Sequence, residues 1–292
     1  MRSVLYVPAN NRRFLEKAAT LDIDVAIIDL EDSVPPAEKE GARSIARQAI
    51  DALAPRGIEV FVRINSLATD LAKGDIRMTA SPRLRGFMLP KIEGPDDVNR
   101  LEEILSPMEE NPDTPRFEIL PLIESAVAVV RAFEIARASP RILALVFGAF
   151  DFTFDMRTNW SKEGAEYQFA RQKLPVDARA AGVYAIDTVY PDLEDEEGFV
   201  KDVELGKRLG YTGKTIIHPR QIAVVNSTFS PSKTEMEWAR RVISAYEPAL
   251  LQGKGAISLD GKLVDMVHYR RAQEIVALND LILHHQRDRP QI

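Results

Sequence analysis

The chain has 292 residues, of which 45% are hydrophobic and 28% charged, a composition that excludes general disorder. Its 38 Lys and Arg stand against 44 Asp and Glu, so the net charge of −6 provides no positive field to hold nucleic acid. The absence of cysteine excludes disulfides, thiolate nucleophiles and metal–thiolate sites, and any metal must sit on oxygen or imidazole.

The opening segment Met1-Arg2-Ser3-Val4-Leu5-Tyr6 enters a strand-like run without a signal-peptide hydrophobic region. No apolar run approaches the roughly 20 residues that span a bilayer, so a cytoplasmic protein without membrane contact is expected. Strand candidates then recur at Val4 to Val7, Val25 to Leu30, Glu59 to Ile64, Gly86 to Leu89 and Glu118 to Ile123. Three more follow at Leu143 to Phe147, Val183 to Ile186 and Gly213 to Ile217. Several are near-continuous apolar runs, as parallel strands buried on both faces require. Between them, Arg12 to Thr20, Ala37 to Leu53, Pro95 to Leu105, Ser125 to Ala138 and Glu196 to Leu209 space their apolar residues at three and four, the helical period. Eight strand–helix units predict an α/β fold, a (β/α)8 TIM barrel over residues 1–230.

The connection from Asp151 to Gly182 is long and is expected to carry an extra loop or helix over the active face. Residues 231–292 form a C-terminal helical extension, with helical stretches at Ser232 to Leu251 and Val267 to Leu283 around turn-rich Gly253-Lys254-Gly255 and Asp260-Gly261-Lys262. A barrel does not need this appendage. It either packs on its own barrel or reaches a neighbouring subunit, which would make the protein an obligate oligomer. The polar end from His284 to Ile292 is expected to fray.

Barrel chemistry lies at the C-terminal ends of the strands, and nearly every such position here is polar. Asp29, Glu31 and Asp32 follow strand two, Arg63 and Asn65 end strand three, Lys91 follows strand four, and Glu124 follows strand five. Asp151, Asp187 and His218 follow strands six, seven and eight. Glu124 and Asp151 end neighbouring strands and offer two hard oxygen ligands, leaving positions for water and substrate, which is how Mg²⁺ is usually held. Asp29, Glu31 and Asp32 suit metal-bound waters. The plain structural alternative is that Asp32 and Asp151 cap helices. Arg63 suits a substrate carboxylate, or else an ion pair with Glu31 or Asp29. Lys91 keeps a metal-free Schiff-base aldolase open, although a carboxylate-rich mouth would keep its amine protonated. His218 reads more simply as a capping or packing residue, and Trp160 and Trp238 as packing.

In order along the chain stand Arg2-Ser3-Val4-Leu5-Tyr6-Val7-Pro8, Ile28-Asp29-Leu30-Glu31-Asp32, Val62-Arg63-Ile64-Asn65, Leu89-Pro90-Lys91, Leu122-Ile123-Glu124-Ser125 and Phe147-Gly148-Ala149-Phe150-Asp151. Gly213-Lys214, Ile217-His218-Pro219, Phe229-Ser230-Pro231-Ser232 and Asp260-Gly261-Lys262-Leu263-Val264-Asp265 complete the set. On these motifs the chain resembles the citrate lyase β-subunit group of the HpcH/HpaI aldolase superfamily, over nearly its whole length. The resemblance implies that Glu124 and Asp151 bind Mg²⁺ and that Arg63, with the metal, holds the 2-keto acid. It implies CoA contacts at Tyr6, Arg13, Lys17 and the Ile217-His218 turn. It further implies that Asp265 acts as general acid or base from a neighbouring subunit of a homotrimer or hexamer. Two departures stand out. Relatives often read Val-Pro-Gly-Asn-Arg-Pro where this chain has Val7-Pro8-Ala9-Asn10-Asn11-Arg12, which moves the phosphate contact to Arg12 or Arg13. The aspartate motif commonly continues with proline, where this chain has Val267-His268 after Met266.

The expected activity is an Mg²⁺-dependent carbon–carbon lyase that splits a 3-hydroxyacyl-CoA such as citramalyl-CoA or malyl-CoA into acetyl-CoA and pyruvate or glyoxylate. A following thioesterase step is open. The alternatives are the citryl lyase β-subunit of a carrier-protein-dependent citrate lyase complex, and a barrel that binds CoA esters or keto acids without turnover.

Overall fold

The computed structural model of the chain describes residues 1–109 and 116–287, so the far end of the segment expected to fray, residues 288–292, lies outside the described residues. The short apolar runs form eight parallel strands: β1 (Ser3–Pro8), β2 (Val25–Asp29), β3 (Glu59–Arg63), β4 (Gly86–Leu89), β5 (Glu118–Ile123), β6 (Ala144–Phe147), β7 (Tyr184–Asp187) and β8 (Gly213–Ile216). They pair in sequence order and β8 closes on β1, giving the expected (β/α)8 barrel. The chain divides into two compact units, Met1–Asn226 and Ser227–Ile292.

The helices of the first unit are α1 (Arg12–Ala18), α2 (Lys39–Leu53), α3 (Leu71–Thr79), α4 (Pro95–Leu105), α5 (Ala126–Val130), α6 (Ala132–Ala136), α7 (Ala149–Asp155), α8 (Gln168–Ala181) and α9 (Glu196–Leu209), with α10 (Ile222–Phe229) following β8. Their ends are set by local chemistry. Asn11, Ser125 and Asp195 cap α1, α5 and α9 by accepting the N–H groups of Phe14, Ala128 and Gly198. Gly182 and Gly210 end α8 and α9 at φ of 81° and 102°, where a side chain would be strained.

One expectation needs correction. The segment from Ser125 to Ala138 is not one helix but α5 and α6, broken at Arg131 with φ −95° and ψ 9°. Arg131 Nη1 donates to the Glu93 carbonyl at 3.3 Å. Its guanidinium fills the space beside Gly94, where an added Cβ would lie 2.2 Å from Arg131 Nη1. The break coincides with this tertiary contact, which periodicity does not encode.

The barrel interior follows the period of two. Val4, Val25 and Ile27, Phe61, Met88, Leu120 and Leu122, Ala144 and Val146, and Ile186 form one buried cluster contributed by β1 to β7. Each fully buried side chain of this size is worth about 1.5–3 kcal/mol relative to exposure.

In the second unit, Ser232 caps α11 (Lys233–Leu251) in a reciprocal box with Glu235. The turn-rich segment forms a hairpin, β9 (Ala256–Leu259) and β10 (Lys262–Asp265), whose Asp260 and Gly261 both take positive φ, 53° and 73°. That pair suits a two-residue turn matched to strand twist. The hairpin leads into α12 (Met266–Arg287). The unit has its own core of Met236, Ala239, Val242, Tyr246, Val264, Ala272 and Ile275, with Trp238 packed against it as expected. Among the described residues, no helix is long and apolar enough to cross a membrane.

Candidate active site

The alternation that fills the barrel also builds its mouth. Two residues beyond Val4 stands Tyr6, beyond Ile27 Asp29, beyond Phe61 Arg63, and beyond Leu122 Glu124, so each continues an inward row at the C-terminal end of its strand. All four line a cavity of about 330 Å³, together with Gly148, Phe150, Asp151 and Ile217.

Arg63 organises one side. Its Nε and Nη2 donate to Asp29 Oδ1 and Oδ2 at 2.7 and 2.6 Å, and Nη1 lies 3.2 Å from Glu31 Oε2. A guanidinium has five N–H donors, so both terminal nitrogens keep capacity for a further acceptor. Its face lies 5.0 Å over the Tyr6 ring, and Tyr6 Oη donates to Met88 Sδ at 3.2 Å. Burial pushes Asp29 up, but the Arg63 hydrogen bonds and charge prevail and hold it below the usual carboxylate range. Burial raises the Tyr6 phenol well above its ordinary value, and the Arg63 charge only partly offsets this.

Glu124 organises the other side. It is 3% exposed, accepts the Lys91 backbone N–H on Oε1 at 2.6 Å, and keeps Oε2 buried without a hydrogen bond. Gly148 makes room for it, since a Cβ there would lie 2.8 Å from Glu124 Cβ and 3.1 Å from Oε2. Burial raises Glu124 to about 7, partly offset by the charge and N–H of Lys91. Burial likewise raises Glu31 to about 7 against the charges of Arg63 and Lys91. Asp151 is in the first turn of α7, whose cap is Gly148, so it is not a capping residue. Lys91 Nζ lies 2.6 Å from Asp151, 3.5 Å from Asp32, and 3.8 Å from both Glu31 and Glu124. Burial lowers its basicity, but these carboxylates outweigh that and favour the protonated amine, which argues against a Schiff-base role.

Arg13 and Lys17 are exposed one turn apart on α1, while Arg12 Nη1 donates to Gln48 at 2.7 Å. Ile217 lines the cavity at 42% exposure, and His218 caps the turn that follows by accepting the Arg220 N–H on Nδ1. Asp187 does not join the mouth. Ile186 takes the inward place on β7, so Asp187 points outward to Arg171 and Lys214. Asp265, in the second unit, ends β10 and caps α12: its Oδ1 accepts the Val267 and His268 N–H groups at 3.0 and 3.3 Å and lies 2.7 Å from His268 Nδ1. The His268 contact, together with the backbone N–H groups, lowers the Asp265 carboxyl. Sequence reasoning missed the Tyr6–Arg63 stack, the Gly148 cradle and the Phe150–Trp160 stack at 5.6 Å, which sets Trp160 against a cavity-lining ring.

Residues 2–219 match the family model described as HpcH/HpaI aldolase/citrate lyase. The chain belongs to this family. It is 38% identical over 279 residues to citrate lyase subunit beta of Leuconostoc mesenteroides subsp. cremoris, covering 95% of this chain and 92% of that protein. It is 33% identical over 288 residues to the mitochondrial citramalyl-CoA lyase of Rattus norvegicus, covering 95% of this chain and 85% of the relative. A solved structure of protein CitE from Mycobacterium tuberculosis, in complex with magnesium, acetoacetate and coenzyme A, superposes with a TM-score of 0.75 at 28% identity and covers 96% of this chain and 98% of that one. The protein is accordingly an enzyme, a lyase of the citrate lyase β-subunit type, and the binding-only reading is set aside.

Among the described residues no three His, Asp or Glu side chains converge closely enough to hold a metal ion by themselves. The donor set nevertheless fits Mg²⁺, which is commonly held by one or two carboxylates with water and substrate oxygens completing its octahedron. Glu124 brings a buried oxygen without a hydrogen bond, and Asp151, 41% exposed, opens to solvent.

Proposed function

We propose that the protein is an Mg²⁺-dependent lyase that cleaves a 3-hydroxyacyl-CoA such as citramalyl-CoA or malyl-CoA to acetyl-CoA and a 2-keto acid. The observation that carries this is the convergence of Arg63, Glu124 and Asp151 on one cavity. Glu124 and Asp151 would hold the metal. When bound, Mg²⁺ polarises the oxygen that becomes the keto group and offsets charge at the carboxylate. Arg63 takes the substrate carboxylate with the donors left after Asp29. Glu31 and Asp32 would accept from waters on the metal, and Asp29 fixes the Arg63 plane. The cleavage removes the hydroxyl proton, breaks the carbon–carbon bond and leaves the electron pair on the thioester enolate, which takes up a proton.

Asp265 is the group proposed to exchange that proton, supplied by the 231–292 extension of a neighbouring copy in a homotrimer or hexamer. With Oδ1 occupied by the backbone of α12 and by His268, its Oδ2 is the oxygen for the transfer. Arg13 and Lys17, exposed on α1, suit CoA phosphates, and Tyr6, which lies beneath Arg63, and the Ile217-His218 turn are proposed to meet other parts of the CoA. A cytoplasmic location accompanies this reading.

Incubation with citramalyl-CoA and malyl-CoA isomers, with Mg²⁺ or with EDTA, is expected to release pyruvate or glyoxylate only with metal. Cleavage that survives EDTA would overturn the metal assignment. Mixing inactive Glu124→Gln and Asp265→Asn oligomers under exchange conditions is expected to restore part of the activity, and no recovery would remove Asp265 from the neighbour's site. A second reading, the β-subunit of a carrier-dependent complex, draws on the 38% identity to the Leuconostoc relative. Silence on every CoA ester, with co-purification of an acyl carrier and a transferase, would select it.

A further inference from the structure

We propose that Lys91 is a positioning residue whose ammonium stands in for the divalent cation in the metal-free site and yields that place when Mg²⁺ binds. The inference rests on the reading of Glu124 and Asp151 as the ligands. Lys91 follows Pro90 at the end of β4 with φ 53°, a conformation that residues with a side chain seldom adopt. That backbone turns its N–H onto Glu124 Oε1 at 2.6 Å. The side chain then returns over the same carboxylate: Nζ is 3.8 Å from Glu124 Oε1 and 2.6 Å from Asp151 Oδ1. One nitrogen thus hydrogen-bonds Asp151 and lies within ion-pair range of Glu124, between the two proposed ligands as a shared cation would be. Without it, the two carboxylates would face each other across a site where Glu124 is 3% exposed and already keeps Oε2 without a hydrogen bond.

An ammonium and a metal ion cannot share that position, so binding is an exchange. The structure supplies the second place. Asp32 Oδ2 at 3.5 Å and Glu31 Oε1 at 3.8 Å lie within reach of the same nitrogen, and neither is a proposed ligand. A rotation about the outer side-chain bonds moves the charge from Asp151 to this pair while the N–H stays on Glu124. The ligands are held in place before the metal arrives, and Mg²⁺ affinity is set against a resident cation.

Calorimetric titration of Mg²⁺ and thermal unfolding in EDTA or in saturating Mg²⁺ test this on the full chain. Lys91→Met is expected to bind Mg²⁺ about 10-fold more tightly than the parent. It should melt lower than the parent in EDTA and level with it in Mg²⁺. Lys91→Arg, which keeps a cation there, is expected to bind Mg²⁺ no more tightly than the parent. An equal loss of melting temperature for Lys91→Met in both conditions, with unchanged affinity, would overturn the exchange while leaving the metal reading intact. Absence of any Mg²⁺ heat or melting shift in the parent chain would overturn the metal reading itself.

Discussion

The barrel contains two charge clusters made from the same side-chain types, one in the mouth and one in the wall. In the wall, Arg171 on α8 donates Nε and Nη2 to Asp187 at 2.9 and 2.6 Å, and Lys214 on β8 reaches Asp187 at 2.9 Å and Asp202 at 2.6 Å. Two acids meet two bases, and the Lys214 and Asp187 side chains are fully shielded from solvent. Burial pushes Asp187 up, but the charges of Lys214 and Arg171 prevail and hold it below its ordinary range. In the mouth, Asp29, Glu31, Asp32, Glu124 and Asp151 have, among the described residues, ion pairs with Arg63 and Lys91 alone. Glu124 there keeps a buried oxygen without a hydrogen bond and sits near neutrality. A closed charge balance marks structure, and an open one marks a place for something that arrives from solution.

The largest expected contrast comes from removing one acid in each cluster. Asp187→Asn leaves two buried cations short of a partner and should cost about 3–5 kcal/mol in denaturant unfolding, with unchanged turnover per folded molecule. Glu124→Gln should do the reverse, lowering turnover about 1000-fold while holding or raising stability in EDTA. If Glu124→Gln unfolds the chain and Asp187→Asn abolishes turnover, the distinction between the clusters fails.

pH sharpens the same comparison. Glu31 and Glu124 titrate near 7 in the fold, against about 4.3 in an unfolded chain. Between those values the folded state binds more protons than the unfolded state, so stability falls as pH rises. The EDTA-treated protein should therefore melt about 5 °C lower at pH 7.5 than at pH 5. Saturating Mg²⁺ at pH 7.5 should recover that loss. Asp187 contributes nothing over this window, because its lowered value places its loss of stability below the ordinary aspartate range, as pH falls. A melting temperature that climbs from pH 5 to 7.5 in EDTA would contradict the open character of the mouth. The smallest effect is expected from Gly148→Ala, whose added Cβ must displace Glu124, reducing Mg²⁺ affinity about 10-fold in titration.

Much of this was legible in the residues. Eight apolar runs with helical spacers specify the barrel, and strand-end positions put Arg63, Glu124 and Asp151 in one mouth before any coordinates. Three further features escaped for physical reasons. Asp187 also ends a strand, but one step along a period-two row turns it to the outer face. The hairpin β9–β10 carried a signal in Asp260-Gly261, a pair suited to a two-residue turn, but its strands of four residues alternate too briefly to stand out. The Lys91 contacts depend on three other loops arriving at one point, and no local pattern encodes that meeting.

The cavity is uneven in how firmly its members are fixed. Asp29, Arg63 and Glu124 are each held by bonds or by the missing side chain of Gly148, whereas Phe150 and Ile217 line the same space at 41% and 42% exposure. Substitution at those two apolar positions can reshape the room for an acyl substituent without disturbing an ion pair. Divergence to a new substrate within this architecture therefore has an open route at its edge, while the reaction it performs there stays fixed.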